Sequence, residues 1–130
     1  MIKAISIAIL ATSPVAAAAQ FVPTLDSAPR VCPDRPPRPD WIVNADVREA
    51  HKMNLVQEMY RAQSLQAVVE AGECSCETRF PSWDDASAYY FEHYSGLSRH
   101  EILDRTSEYR RTANELRQEA MPICESQGNW

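Results

Sequence analysis

From Asp46 onward, apolar residues recur at Val47, Leu55, Met59, Ala62, Leu65 and Val69. Most of these lie three or four apart, or at multiples of a turn, so they share one side of an α-helix. Asp46 is a favourable N-cap, and Glu49 stands at the reciprocal position of a capping box. Gly72 can take the left-handed conformation that commonly ends a helix. The pattern predicts a first helix over 46–71.

A second helix is expected to begin at Ser82, with Pro81 before it and Asp85 three residues on, and to run through SWDDASAYYFEHYSG to a second glycine, Gly96. The third opens at Ser98, with Glu101 at the matching acid position. There, Ile102, Thr106, Tyr109, Ala113, Leu116, Ala120 and Ile123 alternate four and three apart. That is a narrow, heptad-like seam. Its small members, Thr106, Ala113 and Ala120, would let another helix approach closely. Pro122 is expected to end or kink this helix, because proline removes a donor and clashes with the preceding turn.

No stretch alternates with the period of two that marks a strand, and no internal repeat is present. The expected fold is therefore all-α: a small helical bundle of two long helices and one short helix, with the helical domain over 46–130. If the short helix runs back, the third helix rises parallel to the first.

Ahead of it, residues 20–45 read as a Pro-rich extended linker. PRVCPDRPPRPD excludes helix and central strand and favours polyproline II. The first 19 residues, MIKAISIAILATSPVAAAA, have one charge at Lys3, a short apolar core and small residues before Gln20. This is the layout of a cleaved secretory signal peptide, and its core is too short to span a bilayer. The expectation is a periplasmic protein of roughly 111 residues, enough for one modest core, with no stable membrane span.

Charge narrows the partners. The formal net charge is −5, and losing Lys3 with the signal peptide takes it to −6. No basic patch is left to track a nucleic-acid backbone, and Lys52 would be the one remaining lysine. Arginine and acid interspersed along helices read as solvated, ion-paired faces.

Four cysteines, Cys32, Cys74, Cys76 and Cys124, in a small exported chain read as a disulfide framework. Cys74 and Cys76 follow the end of the first helix, and Cys124 follows most of the third. The fourteen residues from Cys32 to Asp46, extended at about 3.1 Å each, reach about 43 Å, enough to run alongside the first helix. All four sulfurs then meet at one pole, with one of Cys74 and Cys76 bonded to Cys32 and the other to Cys124. A Cys74–Cys76 ring would be strained, and as a strained bond it would be an oxidising redox pair. The alternative reading is thus a thiol-redox or copper carrier built on Cys-Ser-Cys, with His93 or His100 as further ligands. The spacing fits no zinc template, and no cofactor motif is present.

Aromatic residues crowd the middle of the chain, at Phe80, Trp83, Tyr89, Tyr90, Phe91 and Tyr94. Such residues either hold a short helix in place or offer a contact surface. Trp83, Tyr90 and Tyr94 are the candidate partner-binding residues. Asp84 and Asp85 sit where acids offset the helix dipole, and Ser98 with His100 lacks an orienting acid. No catalytic residue is assigned, and the chain is expected not to be an enzyme.

ECSCETRFPSWDDASAYY resembles small periplasmic accessory proteins of conjugation and type IV secretion clusters. The resemblance rests on Cys74, Cys76, Phe80, Pro81 and Trp83. It implies a helical accessory part that works by touching another envelope protein. An immunity protein or a chaperone of the periplasm is a further alternative.

Overall fold

In the computed structural model, which describes Cys32 and residues 35–130, no strand occurs among the described residues. Five helices follow one another: α1 (Asp40–Val43), α2 (Ala50–Ala71), α3 (Cys76–Arg79), α4 (Asp84–His93) and α5 (Arg99–Ser126). The expected signal peptide, and the linker as far as residue 31, lie outside the described residues.

The long helices form for the reasons their ends suggest. Ser98 Oγ accepts from the Glu101 amide, while the Glu101 carboxylate accepts from the Ser98 amide at 2.8 Å, a complete capping box. At α2 only half of such a box exists. Asp46 accepts from the Arg48 amide at 2.8 Å, but Glu49 pairs with Lys52 instead. Residues Val47–Glu49 therefore wind as a 3₁₀ turn before α2 starts at Ala50, and Val47 is left outside the core. At the other end Gly72 takes φ 65°, and its amide returns to the Val68 carbonyl.

Three expectations about element limits are corrected. Asp40–Val43 is helical although it falls within the expected extended linker; Pro39 (φ −55°, ψ 146°) keeps polyproline angles and places its carbonyl to accept from Ile42 and Val43. Gly96 does not stop α4. The helix closes earlier, where the Tyr94 and Ser95 amides both reach the Tyr90 carbonyl, and Gly96 has no positive φ. Pro122 does not end α5, which continues to Ser126. The missing donor leaves the Gln118 carbonyl without its helical partner, but Gln118 and Pro122 are both exposed, so water can serve it. Two residues on, Cys124 is bonded to Cys74 and holds the last turn in place.

Helices α2 and α5 run parallel. Arg110 Nε donates to Glu58 at 3.1 Å, Arg61 to Asn114 at 2.9 Å, and Cys74 bonds to Cys124, so the chain offset stays near fifty along the whole pair. Between them lie Leu65, Val68, Ala113, Ala120 and Cys124, the seam's small residues being fully buried. A second cluster closes the other end: Leu55, Val56, Met59, Tyr60 and Ile102, with Ile42 from α1 and Trp83, Ala86 and Tyr90 from the α4 side. Each large apolar side chain buried this way stabilises the fold by about 1.5–3 kcal/mol before ordering costs.

The four sulfurs meet where α2 and α5 end. Cys32 bonds to Cys76 and Cys74 to Cys124, with Cα–Cα distances of 5.5 and 5.0 Å. The C-terminal residues fold back over this pole through Gly128, at φ 69°. There Gln127 Oε1 accepts from the Cys74 amide and Asn129 Nδ2 donates to the Cys74 carbonyl, both at 2.7 Å. Asn129 Oδ1 lies 3.5 Å from Cys32 Sγ, a packing contact, since a disulfide sulfur carries no proton.

Candidate functional site

Helix α4 is ten residues long and carries three consecutive aromatic residues. At 100° per residue they must point three ways. Tyr90 points inward and is 3% exposed; Trp83, just before the helix, is 8% exposed. Trp83 lies flat on Tyr60, ring centroids 3.8 Å apart and planes within 7°, while the Tyr60 hydroxyl donates to the Pro81 carbonyl at 2.8 Å. Tyr94 is half-buried, its hydroxyl 3.3 Å from that of Tyr109 on α5. The expected contact residues Trp83 and Tyr90 are therefore core residues, and Tyr94 is largely spent on α5. They fall inward because α1 and the middle of α2 present Ile42, Met59 and Tyr60 to the Trp83–Ala86–Tyr90 side of α4.

The aromatic surface belongs to their neighbours. Tyr89 is 46% exposed and Phe91 53%, on opposite flanks of α4. Phe91 leans on Trp41 of α1, centroids 4.7 Å apart, and α1 also exposes Val43. Tyr89 rims a groove of about 350 Å³ between α2, α4 and α5, floored by Met59, Ala62, Tyr109 and Leu116.

A second and larger cleft, about 690 Å³, opens where the segment before α1 crosses α2 and α3. Four arginines line it: Arg35 and Arg38 from that segment, Arg61 from α2 and Arg79 from α3. Its apolar lining is Pro36, Pro37, Tyr60, Phe80 and Trp83, and no carboxylate of the described residues belongs to it. The guanidinium carbons of Arg35 and Arg79 sit 4.6 and 5.2 Å from the centre of the one Phe80 ring. They are thus within about 10 Å of each other, near enough to repel through a partly dry medium. Among the described residues neither pairs with a carboxylate. Arg79 also packs on Trp130 and donates to Ser64 Oγ at 3.4 Å. Burial, and then the charges of Arg35 and Arg61, lower its pKa from the ordinary arginine value. Among the described residues, Arg61 differs from the other three in being ion-paired, to Glu58 at 3.3 Å.

The disulfide Cys32–Cys76 creates this juxtaposition. Arg35 follows Cys32 by three residues and Arg79 follows Cys76 by three, so one covalent link brings two cations to one ring. Nothing local in PDRPPRPDW or ETRF announces that meeting.

The cysteines themselves hold no thiol. Each of Cys74 and Cys76 is committed to a distant partner, and no free cysteine remains. Among the described residues no group of three or more His, Cys, Asp or Glu gathers as a metal site; His93 and His100 are exposed, beside Glu92 and Asp104. No helix of the described residues is long and apolar enough to cross a membrane. Compared with known proteins, the chain matches no family model, no curated protein and no solved structure.

Proposed function

We propose that this chain is an exported, non-enzymatic protein that acts by contact with another envelope protein, as an accessory part of a type IV secretion or conjugation apparatus. The observation that carries the contact reading is the pair of half-exposed aromatic side chains, Tyr89 and Phe91, on a helix whose inner side is already filled by Trp83, Ala86 and Tyr90. A short helix already held by three inward residues gains little from two large rings left half in water, even with Phe91 leaning on Trp41, whereas rings of this kind supply contact energy at an interface. Two disulfides and the lack of a spanning helix among the described residues are compatible with a soluble exported protein. The apparatus is suggested by the resemblance of ECSCETRFPSWDDASAYY alone.

The test is photo-crosslinking in the native envelope, with benzoylphenylalanine replacing Tyr89, Phe91 or, as a control, the exposed Arg111 of α5. A discrete adduct with one envelope protein is expected from position 89 or 91 and absent from 111. Smears or no adduct from all three positions would remove the basis of the contact reading.

A further inference from the structure

We propose that the arginine-lined cleft binds an acidic segment of a partner polypeptide, its carboxylates bridging Arg35 and Arg79 across Phe80. The inference rests on the contact reading above and names the chemistry of one contact. In a chain of net charge −5, four arginines gather in one concavity that no acid among the described residues lines, and of the four only Arg61 is ion-paired among those residues, to Glu58. Two of them share a single aromatic ring. Such an arrangement costs free energy unless something negative enters, and the guanidinium fork suits a carboxylate bidentately.

The shape of the cleft favours a polypeptide over other anions. At about 690 Å³ it is sized for several residues, not one inorganic ion. Its walls mix cations with Pro36, Pro37 and Phe80, so the occupant carries apolar groups as well as charge. The arginines come from three separate stretches of chain, which spaces them for more than one carboxylate. A membrane is a poorer fit: the part-buried Arg79 lies on a concave surface that a bilayer cannot enter, and the acidic remainder of the molecule would be repelled by anionic lipid. A nucleic-acid backbone meets the same repulsion.

The Cys32–Cys76 bond is what assembles the site, since it sets Arg35 against Phe80. The site therefore exists only in the oxidised protein, and reduction should empty it even where the α2–α5 pair survives.

The experiment measures binding of a fluorescent hexaglutamate peptide to the purified, disulfide-intact protein by anisotropy, at low and at physiological salt. Saturable binding that weakens with salt is expected. Arg35→Gln and Arg79→Gln should each weaken it about tenfold, the order expected for one charge-assisted carboxylate pair. Arg105→Gln and Arg111→Gln, on the exposed side of α5, should leave it unchanged. Because Arg79 also packs on Trp130, Arg79→Lys and the exposed Arg38→Gln provide variants with an undisturbed core; each should weaken binding while melting like the wild type. Absence of peptide binding, or equal losses in the α5 variants, overturns the proposal. So does attachment to vesicles of anionic phospholipid by a protein that ignores the peptide. A partner complex that forms normally with Arg35→Gln and Arg79→Gln sinks the cleft but leaves the contact reading intact. A cleft that binds peptide in a protein with no envelope partner does the reverse.

Discussion

Replacing Cys74 and Cys124 together by alanine removes the bond that ties the end of α2 to the end of α5. The closed loop spans 50 residues, and the chain-entropy relation assigns it about 4 kcal/mol at 25 °C. The Cys32–Cys76 loop, at 44 residues, is worth about the same. The two loops overlap only at residues 74–76, so they restrict different parts of the unfolded chain and their effects should nearly add. Domains of this size have total stabilities of about 5–15 kcal/mol, so losing one bond removes a large part of it. The midpoint of thermal unfolding should fall by roughly 15–30 °C, taking 4–8 °C for each kcal/mol in a small domain. Far-UV circular dichroism against temperature is the assay. Alanine is preferred to serine because Cys124 is fully buried and Cys74 nearly so, where a new hydroxyl would lack a partner. A variant that melts within about 5 °C of the wild type would refute the reasoning. It would mean that the bond is not formed, or that the unfolded chain is already compact enough to need no tether.

Three further outcomes follow from particular contacts. Trp83→Ala removes the ring stacked on Tyr60 and should cost about 3–5 kcal/mol, whereas Phe91→Ala, at an exposed position, should cost under about 1 kcal/mol; urea titration of both variants measures the contrast. Ala113→Leu inserts bulk into a fully buried position of the α2–α5 seam and should destabilise by about 1–3 kcal/mol, while the same change at the exposed Asn114 should cost less, chiefly through its contact with Arg61. Burial raises the pKa of Tyr60, Tyr90 and Tyr109. Above the free phenol value of about 10 the unfolded chain loses those protons first. The stability they contribute is thus complete below that pH and lost as pH rises beyond it, so tyrosinate absorbance should grow in step with loss of helix.

Local signals carried much of this fold. Ser98 with Glu101, Gly72, and the four-and-three spacing from Ile102 to Ile123 each act within one or two turns, and each does in the structure what its chemistry suggests. The meeting of all four cysteines at one pole also followed from helix lengths and directions. What could not be read depended on distant partners. Tyr89, Tyr90 and Phe91 are adjacent in sequence, and only the neighbours of a ten-residue helix decide which one is buried. One such neighbour, α1, is a four-residue helix set directly after prolines, where neither period nor composition reveals it. The arginine cleft is hidden for the same reason: Arg35 and Arg79 are 44 residues apart, as are the cysteines that join them.

On the proposed contact role, the sulfurs of this protein staple the fold and leave its work to the surface. Peptide mapping under non-reducing conditions, on protein recovered from the native envelope with free thiols blocked at lysis, tests this most directly. Trypsin leaves Cys74 and Cys76 on one fragment, so partial reduction with differential alkylation is needed to separate them. The expected result is Cys32 joined to Cys76, Cys74 joined to Cys124, and no blocked thiol. A Cys74–Cys76 ring, or thiols recovered free, would contradict it and return the pair to redox or metal chemistry.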